Sequence, residues 1–213
     1  SPTATWNADA IAQISEKLES SLDEQTHALA LKNLSKVLSW AGKQNEAEHL
    51  VDLAIAAIPE DGETHFQKGL LLKKAGDKEA ALLHYQKAAR LSPWNAIIHR
   101  GLGVLLSELG RTSEALVELE SAIQLDPKLV AAHYDLGIVF QALGESRQAE
   151  AAYRTALKLD PTHVEAHNNL GVIFAQRGNL TAAAEQFSEA LRLEPEHKAA
   201  ASNLSRIRKA QNR

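Results

Sequence analysis

Apolar residues in the middle of the chain return at helical spacing. Leu136, Val139, Phe140 and Leu143 form one stripe, and Ala149, Ala152, Tyr153, Ala156 and Leu159 form the next. Steps of three and four put each set on one helix face. Gly144 stands between the stripes and Pro161 follows the second. This punctuation recurs: Gly42, Gly76, Gly110, Gly144 and Gly178 are spaced 34 residues apart, and Pro59, Pro93, Pro127, Pro161 and Pro195 keep the same period 17 residues later. Each unit is therefore predicted to hold two helices. Gly ends the first because it tolerates left-handed backbone, and Pro stops the second because it has no N–H to continue the ladder.

Small residues keep fixed phases within this period. Ala47, Ala81, Ala115, Ala149 and Ala183 share one phase, Ala54, Ala88, Ala122, Ala156 and Ala190 a second, and Gly69, Gly103, Gly137 and Gly171 a third. A larger side chain there would hold antiparallel helices beyond the ~8–10 Å of close packing, so all three rows are read as packing positions. In the fourth unit the signature is Leu136, Gly137, Phe140, Ala149, Tyr153, Ala156 and Pro161. In the fifth it is Leu170, Gly171, Phe174, Ala183, Phe187, Ala190 and Pro195. On these residues the chain resembles the tetratricopeptide repeat family, whose unit is a 34-residue helix-turn-helix.

The resemblance implies an all-α, right-handed superhelical solenoid. Its units are expected at 28–61, 62–95, 96–129, 130–163 and 164–197, spanning 28–197, after a polar segment and capping helix over 1–27 and before a capping helix over 198–213. The first unit is degenerate, with Ser35 in the small-residue row and Val51 where an aromatic is usual. The N-terminal helix is expected over 7–22 through Ile11, Ile14, Leu18 and Leu22, either shielding the first unit or lying in the groove. Beyond Pro195, Ala201, Leu204 and Ile207 resume a first-helix phase, and Arg206, Arg208, Lys209 and Arg213 suit a helix C-terminus.

Composition narrows the chemistry. The 213 residues include no Cys and no Met, which removes disulfides, Cys zinc sites and thiol nucleophiles. A net charge of −4 offers no electrostatic footprint for nucleic acid, and no apolar run approaches a membrane span. His65, His99, His133 and His167 form a ladder at the 34-residue period. Neighbouring rungs are on the order of 10 Å apart, too far to share one metal ion, so the ladder is read as packing, with one ring nitrogen on water or a carbonyl. His163 and His167 are closer in sequence but lack a third ligand. No metal, no cofactor and no catalytic set is expected, and Glu114, Glu118 and Glu120 are read as a solvated outer face.

The family resemblance places the first helices on a concave face, touched by a partner at positions 2, 5, 9, 12 and 13 of each unit. The position-5 row is Lys32, Phe66, Arg100, Tyr134 and Asn168, and the position-9 row is Lys36, Leu70, Val104, Ile138 and Val172. Leu70, Val104, Ile138 and Val172, with Phe66 and Tyr134 beside them, read as apolar surface surplus to the core. Lys32, Lys36, Lys73, Lys74 and Arg100 make the N-terminal half basic, so a bound segment is expected to turn its acidic part that way. The chaperone-type carboxylate clamp is matched by Lys32 but not by Lys36, Gln67, Ile97 or Gly101. The asparagine row of the O-linked N-acetylglucosamine transferase arm is broken here, running Asn33, Gln67, Gly101, Asp135, Asn169.

The expected function is a non-enzymatic scaffold or assembly factor that holds a protein segment in its groove. The alternative is a recruiting arm cropped from a larger enzyme such as a glycosyltransferase. Self-association through the groove and the N-terminal helix is a further option. Absence of Cys fits an exported bacterial protein, and a first residue Ser1 fits removal or cropping of Met and a signal segment, so the reading leans to the periplasm over the cytoplasm.

Overall fold

The computed structural model describes Gln13 and residues 23–211. The helix expected over 7–22 lies outside the described residues, Gln13 apart. Among the described residues there are eleven α-helices and no strand. They are α1 (Glu24–Trp40), α2 (Gln44–Ala57), α3 (Gly62–Ala75), α4 (Lys78–Leu91), α5 (Ala96–Glu108), α6 (Thr112–Leu125), α7 (Val130–Ala142), α8 (Ser146–Leu159), α9 (Val164–Gln176), α10 (Leu180–Leu193) and α11 (Lys198–Gln211). The chain divides into two compact units, one up to Leu105 and one from Leu106, with the division inside α5.

In the first unit α1 packs on α2 and α3 on α4, and α2 in turn meets α3. The turns work as the punctuation predicts. Gly76 has φ +94°, and its N–H and that of Asp77 donate to the carbonyls of Lys73 and Leu72 at 3.0 Å, closing the end of α3. Asp77 then caps α4 by accepting from the N–H of Ala80. Ala47, Ala54, Ala81 and Ala88 are fully buried between the paired helices. At Gly69 an added Cβ would run into the ring of Tyr85. Where the first pair departs from the repeat signature, the departures compensate each other. Val51 is smaller than an aromatic, so the Cβ of Ser35 fits, and the Ser35 hydroxyl donates to the Ala47 carbonyl at 2.7 Å.

The second unit repeats these contacts. α7 packs on α8 and α9 on α10, with α6 on α7, α8 on α9 and α11 on α10. Ala115, Ala122, Ala149, Ala156, Ala183 and Ala190 are all fully buried. A Cβ at Gly137 would strike the ring of Tyr153, and one at Gly171 would come within 2.7 Å of Phe187. Leu204 and Ile207 of α11 join the core formed by Tyr153, Leu170, Ile173, Phe174 and Phe187.

Candidate partner-binding faces

The histidine row is a set of turn ties. Nε2 of His65, His99, His133 and His167 each donates to the carbonyl of the proline six residues earlier, at 3.0, 3.1, 3.0 and 3.0 Å. A carbonyl can only accept, so neutral His65 carries its proton on Nε2 and offers Nδ1 as an acceptor. The Nδ1–H of His84 fills that role at 3.1 Å. Burial pushes the pKa of both rings below the usual histidine range, and nearby Lys87 adds to the effect at each. At the corresponding place in the second unit, His167 Nδ1 meets the Oε1 of Gln186 at 2.8 Å. His163 does not converge with His167: its Nδ1 caps α9 by accepting from the N–H of Ala166.

On the first-helix face of the first unit, α1 and α3 lie side by side and are cross-bonded. Gln67 donates to the Lys32 carbonyl and the Ser35 hydroxyl, and Lys74 Nζ donates to the Ser39 carbonyl at 2.9 Å. Lys32 is buried, with Nζ 3.1 Å from both Asp61 and Glu63, so its charge is matched within the protein. Burial opposes that charge, but the bonds to the two carboxylates outweigh it and raise the Lys32 pKa. The same bonds, with the Thr64 hydroxyl, outweigh burial at Asp61 and lower its carboxyl pKa.

Phe66 is half-buried, its ring 4.8 Å from that of Tyr85 and pressed against Gly101, where a Cβ would collide with it. It is thus a packing residue with one open edge. Leu70 is 47% exposed and Lys36 is exposed, whereas Lys73, Arg100 and Val104 are half-buried. Trp40 belongs to none of the rows at positions 5 and 9, yet it is 84% exposed at the end of α1, next to the Ser39 carbonyl that anchors Lys74. The available sequence signal was an aromatic at position 13 of the first unit.

In the second unit the corresponding face is more polar. Tyr134 is half-buried, with ring centroids 5.8 Å from Tyr153 and 4.6 Å from His163. Asn169 Nδ2 donates to the hydroxyls of Tyr134 and Tyr153 at 3.3 and 3.4 Å, and Tyr153 donates to Gln141 Oε1 at 2.5 Å. Burial pushes both phenols above the usual tyrosine range, so they remain protonated donors. Asn168 Nδ2 donates to Asn169 Oδ1, and Asn203 Nδ2 donates to Asn168 Oδ1 at 3.1 Å. Ile138 is 38% exposed and Val172 is half-buried. No helix among the described residues is long and apolar enough to cross a membrane.

These buried alanines, glycine turns and paired helices define a helical-repeat scaffold, the class of protein that presents a surface to other proteins. Models of the tetratricopeptide repeat match residues 134–201, and models described as TPR repeat match 69–110 and 105–144, together more than half of the chain. The chain belongs to the tetratricopeptide repeat family.

Among solved structures, MamA (41-end) from Desulfovibrio magneticus RS-1 is 24% identical with a TM-score of 0.71, over 83% of this chain and 98% of that one. YrrB, described as a TPR protein with an unusual peptide-binding site, is 22% identical with a TM-score of 0.68, over 92% and 98%. PilF of Pseudomonas aeruginosa is 17% identical with a TM-score of 0.75, over 89% and 94%. At these identities the likeness is one of fold. No curated protein sequence matches the chain.

Proposed function

We propose that the protein is a non-enzymatic scaffold that holds a peptide or helical segment of another protein on its first-helix face, with the acidic part of the segment towards the first repeats. The observation that carries this is the exposed Trp40 on α1, with exposed Leu70 on neighbouring α3 and the cations of Lys36 and Lys74 around them. A large indole held in water has no folding benefit, whereas aromatic anchors ringed by charge are the usual hot spots of an interface. Lys73, Arg100 and Val104 occupy other expected contact positions of the first unit, and Lys32 ties α1 to Asp61 and Glu63. Tyr134 and Ile138 occupy the equivalent positions in the second unit. YrrB, of the same fold, is described as having a peptide-binding site, which agrees with this use of the surface.

The test is affinity capture with the intact protein, followed by titration of the captured segment against Trp40→Ala/Leu70→Ala. A loss of about 2 kcal/mol or more is expected for two hot-spot residues. Lys36→Glu is expected mainly to slow association and weaken its salt dependence. Unchanged affinity in the double variant, with the helical spectrum intact, would move the interface off this face.

A further inference from the structure

A cavity of about 450 Å³ opens in the second unit between α9, α10 and α11. It is lined by Val172, Ala175, Gln176, Phe187, Asn203, Arg206, Ile207 and Ala210. One repeat earlier, the positions 34 residues before three of these or their neighbours carry Gln141, Tyr153 and Tyr134, where the last repeat has Ala175, Phe187 and Asn168. The earlier set is filled and bonded: the Tyr153 phenol sits between Gln141 and Asn169, and Asn169 also donates to Tyr134. In the last repeat both phenols and the glutamine are gone. Together these replacements remove about as many side-chain atoms as one tyrosine contains.

What remains is the complement of the missing group. Phe187, Val172, Ile207, Ala175 and Ala210 are an apolar lining for a ring. Asn203, the counterpart of Asn169, spends its Nδ2 on Asn168 and keeps its carbonyl oxygen as an acceptor. Arg206 stands where the preceding repeat has Val172, and it has no acidic partner among the described residues. The helix that carries it contains Lys198, Arg206, Arg208 and Lys209 and no Asp or Glu. A cation at the rim of an apolar cavity, on a helix of one sign, favours a ligand with carboxylates beside its anchor.

We propose that this cavity is a recognition pocket for a tyrosine side chain carried on an acidic segment of a partner protein. The ring lies against Val172, Ala175 and Ala210 over the buried Phe187 and Ile207, the phenolic O–H donates to Asn203, and a neighbouring carboxylate pairs with Arg206. This is a second site, independent of the Trp40 face.

The probe is a short dye-labelled peptide of Glu and Ala with one central Tyr and an amidated end, titrated into the full chain by fluorescence anisotropy. Saturable binding is expected, weakened about tenfold or more when Tyr becomes Ala and less when it becomes Phe. Arg206→Glu is expected to weaken it to a similar extent and to reduce its salt dependence. Ala175→Gln/Phe187→Tyr restores two of the three groups that fill the space one repeat earlier, so it is expected to keep the melting temperature and abolish binding. Trp40→Ala/Leu70→Ala leaves this binding unchanged, which separates the two sites. The proposal falls if the Ala peptide binds as well as the Tyr peptide, or if the refilled protein binds as the parent does. It also falls if the only association seen is between copies of the chain and shows no dependence on tyrosine. Should the refilled variant unfold, unchanged affinity in Arg206→Glu overturns the assignment by itself.

Discussion

The histidine row shows how one side chain does a local job at each repeat. Its Nε2 reaches back to the proline carbonyl, which has no helical partner because the proline has already broken the ladder. Replacing His133 by Ala is expected to cost about 1 kcal/mol, the net worth of one such bond, read from the denaturant midpoint. A turn glycine is worth a comparable amount for a different reason. Gly76 sits at φ +94°, where a Cβ is strained, so Gly76→Ala is expected to cost ~1–2 kcal/mol although nothing lies near the added carbon. Equal stability of Gly76→Ala and the parent would show that the turn relaxes freely.

Between elements, distance of approach is set by pairs of residues. Gly137 allows the ring of Tyr153 to lie on the backbone of α7, as Gly69 does for Tyr85 on α3. Gly137→Ala is therefore expected to destabilise by ~1–3 kcal/mol through overpacking. Ser35 facing Val51 is the alternative solution within the same chain. Gly137→Ala combined with Tyr153→Val should accordingly lose less than the sum of its single changes, which a double-mutant cycle measures. Strict additivity would mean that the two residues do not set the spacing together. Ala156→Leu, at a fully buried alanine, is expected to cost a similar ~1–3 kcal/mol.

Across the whole molecule, acid should act unevenly. His65 and His84 have folded pKa values below the unfolded one, so the unfolded state binds more protons between them. Their contribution to stability is present above the unfolded value of about 6.5 and declines as pH falls from there towards the folded values. Asp61 has a lowered carboxyl pKa as well, and its contribution is lost further into acid, as pH drops through the folded value. Hydrogen exchange at pH 7 and pH 5 should therefore show α3 and α4 losing protection before α9 and α10, where Gln186 takes the place of the second histidine. His84→Gln copies that arrangement and is expected to flatten the pH dependence of the first unit. A uniform loss of protection along the chain would remove the histidine pair as its cause.

The alternation of helix, glycine turn and helix was legible in the sequence because it depends on local rules. Helical periodicity, the left-handed tolerance of Gly and the missing N–H of Pro act within a few residues, and a 34-residue repeat states them five times over. The buried alanine rows were legible for the same reason. What the faces offer was not. Lys32 reads as a free cation until Asp61 and Glu63, about thirty residues away, are brought to its Nζ. Phe66 reads as spare apolar surface until Gly101 closes over its ring. Neither Ala175 nor Phe187 announces a cavity alone, since each is an ordinary packing residue and only their meeting with Asn203 and Arg206 leaves space. Sequence determines where each helix begins, ends and turns its small residues; burial, charge pairing and empty volume belong to distant side chains in contact, and those only the tertiary structure decides.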